Sequence, residues 1–247
     1  MLGTRFLFLL GLTGALPLVA QDGRFDPRLS IHTIVREDLF AGYMVNDMTR
    51  FTKGEASIET LLAERPGSRA ELMAWKGANK LYRAVRALEG SNPAEFSKNY
   101  SDAVAAYGEA ERLGPQNLGV FAVSGASYLL FADRLQDAAQ KKSAYEKAWG
   151  FYNAMWNVQG ANVEKMPLHI KGELLAGLTV SAQRTGRMEE AAKYLDKMLT
   201  VLAGTPYEAR ARRWKEEPSV MGRTTLVCQS CHEPGRLEAR KAALAKQ

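Results

Sequence analysis

The sequence predicts an all-α chain, an irregular α-solenoid of helical hairpins closed by a short C-terminal segment of different character. Three observations carry this. Between residues 37 and 205 apolar side chains recur every three or four positions in segments rich in Ala, Leu, Glu, Lys and Arg, the spacing of one helix face. These segments are cut by helix-breaking clusters at Pro66-Gly67, Gly90–Pro93, Gly114-Pro115, Gly160, Met166-Pro167, Gly186 and Gly204–Pro206. No stretch alternates apolar and polar with period two, so strands are not expected.

Taken in order, residues 1–20 stand apart from the fold. Arg5 supplies a positive charge, Phe6–Leu10 opens an apolar run reaching Ala20, and Gln21–Arg24 is polar at once. That is the pattern of a secretory signal cut after Ala20, although Leu18 is larger than usual beside a cleavage site. An uncleaved anchor is the alternative. Nothing after residue 20 is apolar for long enough to span a bilayer. Residues 21–36 form an N-terminal extension, and Phe51, Gly54, Ile58, Leu61 and Leu62 outline a degenerate first hairpin.

The next segments repeat one another. Tyr100–Pro115 places a small residue at Ala103, an aromatic at Tyr107, a close-contact alanine at Ala110 and a terminating Pro115. Phe121, Gly125 and Tyr128 restart the pattern with large, small and aromatic positions. Tyr145–Ala148 is a further second-helix fragment, and a last copy runs from Leu174 and Leu178 through Ala191, Leu195 and Leu199 to Pro206. Small residues let helices approach and aromatics fill the gaps between neighbours, the logic of tetratricopeptide-like hairpins. The pattern is loose, with insertions expected at 88–99 and 132–142. A nonrepetitive helical bundle is the simpler alternative.

Residues 206–247 hold the chemistry. Cys228-Gln229-Ser230-Cys231-His232 spells C-x-x-C-H with the only two cysteines of the chain. Two thiols so spaced can reach the two vinyl groups of one porphyrin, and the next residue offers an imidazole to the iron. The pattern therefore predicts one covalently bound haem c on Cys228 and Cys231 with His232 as proximal ligand. Three other uses compete. A zinc site would need two more ligands, for which His32 and His169 are the candidates. A thiol-redox C-x-x-C usually opens a helix after a strand, and a plain disulfide leaves His232 idle. Export agrees with haem, since c-type haem is joined outside the cytoplasmic membrane.

With these segments the chain resembles exported tetratricopeptide-repeat proteins that end in a single c-type haem motif. The resemblance rests on the repeat positions, on Leu168–Gly177 and on Cys228–His232. It implies a periplasmic helical platform with one attached haem and a protein partner, a redox protein among the options, on the repeat surface. Only the haem pentapeptide is specific, because such scaffolds serve many functions.

The haem segment departs from small soluble cytochromes c, which place the motif early and a distal methionine later. Only fifteen residues follow His232, and none is Met or His. A distal ligand must come from upstream or from another molecule. His169, behind Met166-Pro167 at an expected helix start, is the best candidate. His32 is the other, but a stack of hairpins sets the two chain ends far apart. Met221 would need a tight loop, and Met166, Met188 and Met198 read as packing residues.

Function classes follow from charge and motif. The formal charge is +6, with the excess toward the end at Arg210, Arg212, Arg213, Lys215, Arg223, Arg236, Arg240, Lys241 and Lys246. Such a patch could steer an acidic redox partner, though a solvated helix face is commoner. Nucleic acid fits poorly. Glu189-Glu190 and Glu216-Glu217 are adjacent on helices and splay by about 100°, so neither forms an acid/base pair. Trp149, Phe151, Trp156, Tyr207 and Trp214 read as packing between hairpins. Electron transfer to a docked protein comes first; an assembly factor with a structural or sensing haem second; an open-iron, peroxidase-like enzyme third.

Overall fold

The computed structural model describes residues 26–221 and 235–246. Among these residues the protein is all-α, with ten helices and three short 3₁₀ turns. The helices are α1 (Ile31–Val45), α2 (Met48–Glu64), α3 (Arg69–Glu89), α4 (Pro93–Leu113), α5 (Leu118–Arg134), α6 (Ala138–Gln159), α7 (Leu168–Arg184), α8 (Met188–Val201), α9 (Pro206–Glu216) and α10 (Arg236–Leu244). The signal segment, residues 1–20, and Cys228, Cys231 and His232 lie outside the described residues. No described helix is long and apolar enough to cross a membrane.

Many of the helix ends have a local reason. Ser30, Asp47, Asn92, Asn117 and Asp137 accept hydrogen bonds from backbone N–H groups of the following first turn, which relieves the unpaired donors of a helix start. Pro93 and Pro206 sit in first turns, where a missing N–H costs nothing. Gly186 and Gly204 take φ of 83° and 75° after α7 and α8, conformations that only glycine adopts freely. Every breaker cluster expected from sequence falls at a helix end. The expected insertions differ: residues 88–99 and 132–142 hold only short turns, and the extra length extends helices, α3 and α4 to 21 residues and α6 to 22. Asn92 caps α4 so early that Phe96 and Asn99 become helical.

The helices pack in consecutive antiparallel pairs, α1 with α2, α3 with α4, α5 with α6 and α7 with α8, while α1, α3, α5 and α7 also touch in succession. Within and between pairs an aromatic ring lies over a glycine. A Cβ on Gly77 of α3 would stand 2.6 Å from the Tyr107 ring of α4. A Cβ on Gly125 of α5 would stand 2.9 Å from the Tyr152 ring of α6. Tyr107 also meets Tyr128 with ring centroids 5.1 Å apart. Ala103, Tyr107, Ala110, Tyr128, Tyr145, Ala148, Leu174, Leu178, Ala191 and Leu195 are all buried. Trp149 and Trp156 pack on Tyr194, and Trp214 is buried.

The two ends of the described chain meet. Helix α10 lies against α1, burying Leu237 and Leu244, and Arg28 Nη1 donates to the Leu244 carbonyl at 3.1 Å. The sequence argument that stacked hairpins separate the ends is therefore corrected: the last described helix, after the C-x-x-C-H segment, returns to the first hairpin. The extension is also shorter than expected, because Ser30 starts α1 at Ile31.

Candidate functional site

The side of the molecule formed by α1, α3, α5 and α7 carries the largest concentration of unusual side chains. His32 lies in the first turn of α1, placed there by the Ser30 cap. Its ring tilts 47° against the Trp75 indole of α3, centroids 5.5 Å apart, and Phe40 packs edge-on against the same indole at 5.6 Å. Burial, and then the Arg36 guanidinium and His169, push the His32 imidazole down to a pKa of about 3, so it is neutral at physiological pH. Among the described residues its ring nitrogens make no hydrogen bond.

His169 opens α7 directly after Pro167 and Leu168, as expected from sequence. Its Nδ1 is 3.3 Å from Tyr207 Oη, and its Nε2 is 3.5 Å from Glu173 Oε1, one helical turn on. Burial, Arg36 and Arg236 hold the His169 pKa below its ordinary value. Burial raises the Glu173 carboxyl to about 8, against the opposing pull of Arg36. The 3.5 Å approach thus joins a neutral imidazole to a carboxylic acid and is not an ion pair. His32 feels the charges of Arg36 and His169, and His169 those of Arg36 and Arg236, so titrating and charged groups of α1, α7 and α10 act on one another here.

Beside this cluster lies a cavity of about 570 Å³. Trp75, Ala122, Met155, Met166 and Ile170 give it mostly apolar walls, and His32, Glu71, Lys165 and Glu173 are its titratable members. Burial raises Glu71 as well. Gly119 leaves room for the Glu71 carboxyl, which a Cβ at that position would strike. Two buried donors of the region, Trp75 Nε1 and Arg36 Nε, have no acceptor among the described residues.

The pentapeptide Cys228–His232 lies outside the described residues; the nearest described residues on its two sides are Met221 and Gly235. On one side the Met221 side chain is buried and its carbonyl accepts from Arg184 Nη2 of α7 at 2.9 Å. On the other, the N–H groups of Gly235 and Leu237 donate to the Glu37 carboxylate of α1 at 2.9 and 3.0 Å. Glu37 also accepts from Arg50 Nη2 at 2.9 Å, and Arg50 Nε donates to Asp38 at 3.1 Å. Met221 is thus a packing residue among the described contacts. No group of three His, Cys, Asp or Glu side chains that could hold a metal occurs among the described residues.

Sequence reasoning singled out His169 and His32 but missed Glu37, Arg36, Trp75 and Glu173. Glu173 left a trace, four residues after His169 on one helix face. Glu37 left none, since its partners are 198 and 200 residues away. Of the basic C-terminal residues, Arg212 pairs with Glu208, Lys215 with Asp196 and Lys241 with Glu238, so part of the expected patch is compensated.

Fold and site define an all-helical protein of paired, packed helices with a half-buried imidazole and carboxyl cluster between its first and last elements. Compared with protein-family models, curated proteins and solved structures, the chain matches none.

Proposed function

We propose that the protein is an exported, tetratricopeptide-like solenoid that carries one haem c covalently and exchanges electrons with a protein docked on its helical surface. The observation that carries this is Cys228-x-x-Cys231-His232, which spends both cysteines of the chain in the one spacing that suits thioether attachment. The donor set fits the group: two thiols to hold it and His232 to take the proximal position. A bound haem would supply one-electron redox chemistry. Cys228 and Cys231 would fix it to the chain, and His232 would hold its iron. The signal-like residues 1–20 support export to the compartment where such attachment is made.

The repeat reading is supported by the successive pairing of helices and by the burial of the expected small and aromatic positions. His169 is the distal candidate of this proposal, and its ring nitrogens already face Tyr207 Oη and Glu173 Oε1. Ligation would exchange one of these contacts. An open distal position is the alternative outcome.

A second reading has its own observation. The nearest described residues on either side of the motif are tied to α7, through Met221, and to α1, through Gly235 and Leu237, which suits a haem that staples an interaction scaffold. A reduced-minus-oxidised spectrum with a redox titration decides. A low-spin, reversible couple supports electron transfer. A high-spin iron that binds carbon monoxide favours a sensing or open-site role, and no haem spectrum at all leaves zinc or thiol chemistry at Cys228 and Cys231.

A further inference from the structure

The cavity between α1, α3, α5, α6 and α7 has a size and lining that the haem proposal does not use. Its volume of about 570 Å³ falls within the range of small-molecule sites. One wall is aromatic, with His32 tilted on Trp75. Another is soft, with the thioethers of Met155 and Met166, groups that pack well against ring edges. Ala122 and Ile170 leave space between these walls. His32 faces the space with no hydrogen bond among the described residues, and a neutral imidazole offers one donor and one acceptor.

We propose that this cavity binds a small neutral ring compound bearing a hydroxyl or carbonyl, its ring between Trp75 and the methionine thioethers and its polar group at His32. A charged group seated between Trp75, Met155, Met166 and Ile170 would be desolvated among apolar side chains, while Lys165, the cation of the lining, is exposed and keeps its charge in water. Selectivity for uncharged ligands follows from that apolar stretch and not from steric fit. The proposal stands independently of haem attachment.

Calorimetric titration of the full-length, haem-loaded protein with 1-naphthol tests it, with 1-naphthalenesulfonate and naphthalene as comparison probes. One saturable site for 1-naphthol is expected, with the sulfonate at least about tenfold weaker. Ala122→Trp should abolish binding by filling the space. Should that variant lose its helical circular dichroism, Ile170→Trp fills the same space from α7. His32→Phe should weaken 1-naphthol about three- to tenfold while leaving naphthalene unchanged, the signature of one lost hydrogen bond. Equal binding of the sulfonate, or binding that survives both filled variants, overturns the proposal. So does 1-naphthol binding seen only after Cys228→Ala and Cys231→Ala remove the haem, because the haem itself would then occupy the cavity.

Discussion

The Glu37 carboxylate of α1 accepts hydrogen bonds from the backbone N–H groups of Gly235 and Leu237, at 2.9 and 3.0 Å, across 198 and 200 residues of chain. It caps α10 from another part of the molecule, doing for that helix what its own N-terminal residue, Gly235, has no side chain to do. Because Arg50 pairs with the same carboxylate, the cap has a partner of its own, and the helix behind the C-x-x-C-H segment is held on the first hairpin.

Removing that cap should release α10. Glu37→Ala leaves two N–H groups without their acceptor and removes one of the two carboxylates that pair with Arg50, which keeps Asp38, at a cost of about 1–3 kcal/mol. Limited trypsin digestion followed by mass spectrometry reads it: cleavage after Arg236 or Arg240 should accelerate in the variant, with α1–α8 intact. Unchanged cleavage would show that the burial of Leu237 and Leu244 alone holds α10.

Two glycines should respond oppositely to one methyl group. Gly77→Ala pushes a Cβ to 2.6 Å from the Tyr107 ring, and such overpacking costs about 1–3 kcal/mol. Gly108→Ala, exposed on α4 with nothing within 4 Å of its Cβ, should stabilise by about 0.5–1 kcal/mol through helix propensity. Urea unfolding of the two variants gives both signs directly.

These contrasts mark how far the sequence was legible. Gly77 and Tyr107, like Gly125 and Tyr152, lie within neighbouring helices, and periodic spacing and breakers located those helices well. The close approach of ring to glycine follows from local hairpin geometry. Glu37 and α10 were illegible because their pairing depends on the whole path of the chain, to which periodicity is blind. His32 was misjudged for the same reason: its setting comes from Trp75 and Arg36, together with distant His169.

Stability should depend on pH through His32 and Glu173 with opposite signs. His32 ionises near 3 when folded and at 6.5 as its ordinary value. Between these values the unfolded chain binds a proton that the folded chain refuses, so this contribution is complete above 6.5 and is lost as pH falls toward 3. Glu173, at about 8 against an ordinary 4.5, keeps its proton when folded, so its contribution is present below 4.5 and is lost as pH rises through 8. Unfolding free energies of His32→Phe and Glu173→Gln, subtracted from the parent across pH 3–9, should slope in opposite directions over these windows. Parallel profiles would mean that neither group is buried as described.

The cysteines should matter to the cofactor and not to the fold. Replacing Cys228 and Cys231 with Ala is expected to abolish haem attachment while the far-ultraviolet circular dichroism keeps its helical form, because the described hairpins are held by their own buried contacts. A large loss of helicity would instead make the haem a structural staple.

The central claim is covalent haem at Cys228 and Cys231, and intact mass under denaturing conditions after acid-acetone extraction of the exported protein tests it most directly. The expected result is a chain beginning near Gln21 whose mass exceeds the polypeptide by one haem, with the excess absent from the double alanine variant. A bare polypeptide mass, with the porphyrin in the acetone phase or absent altogether, would contradict it.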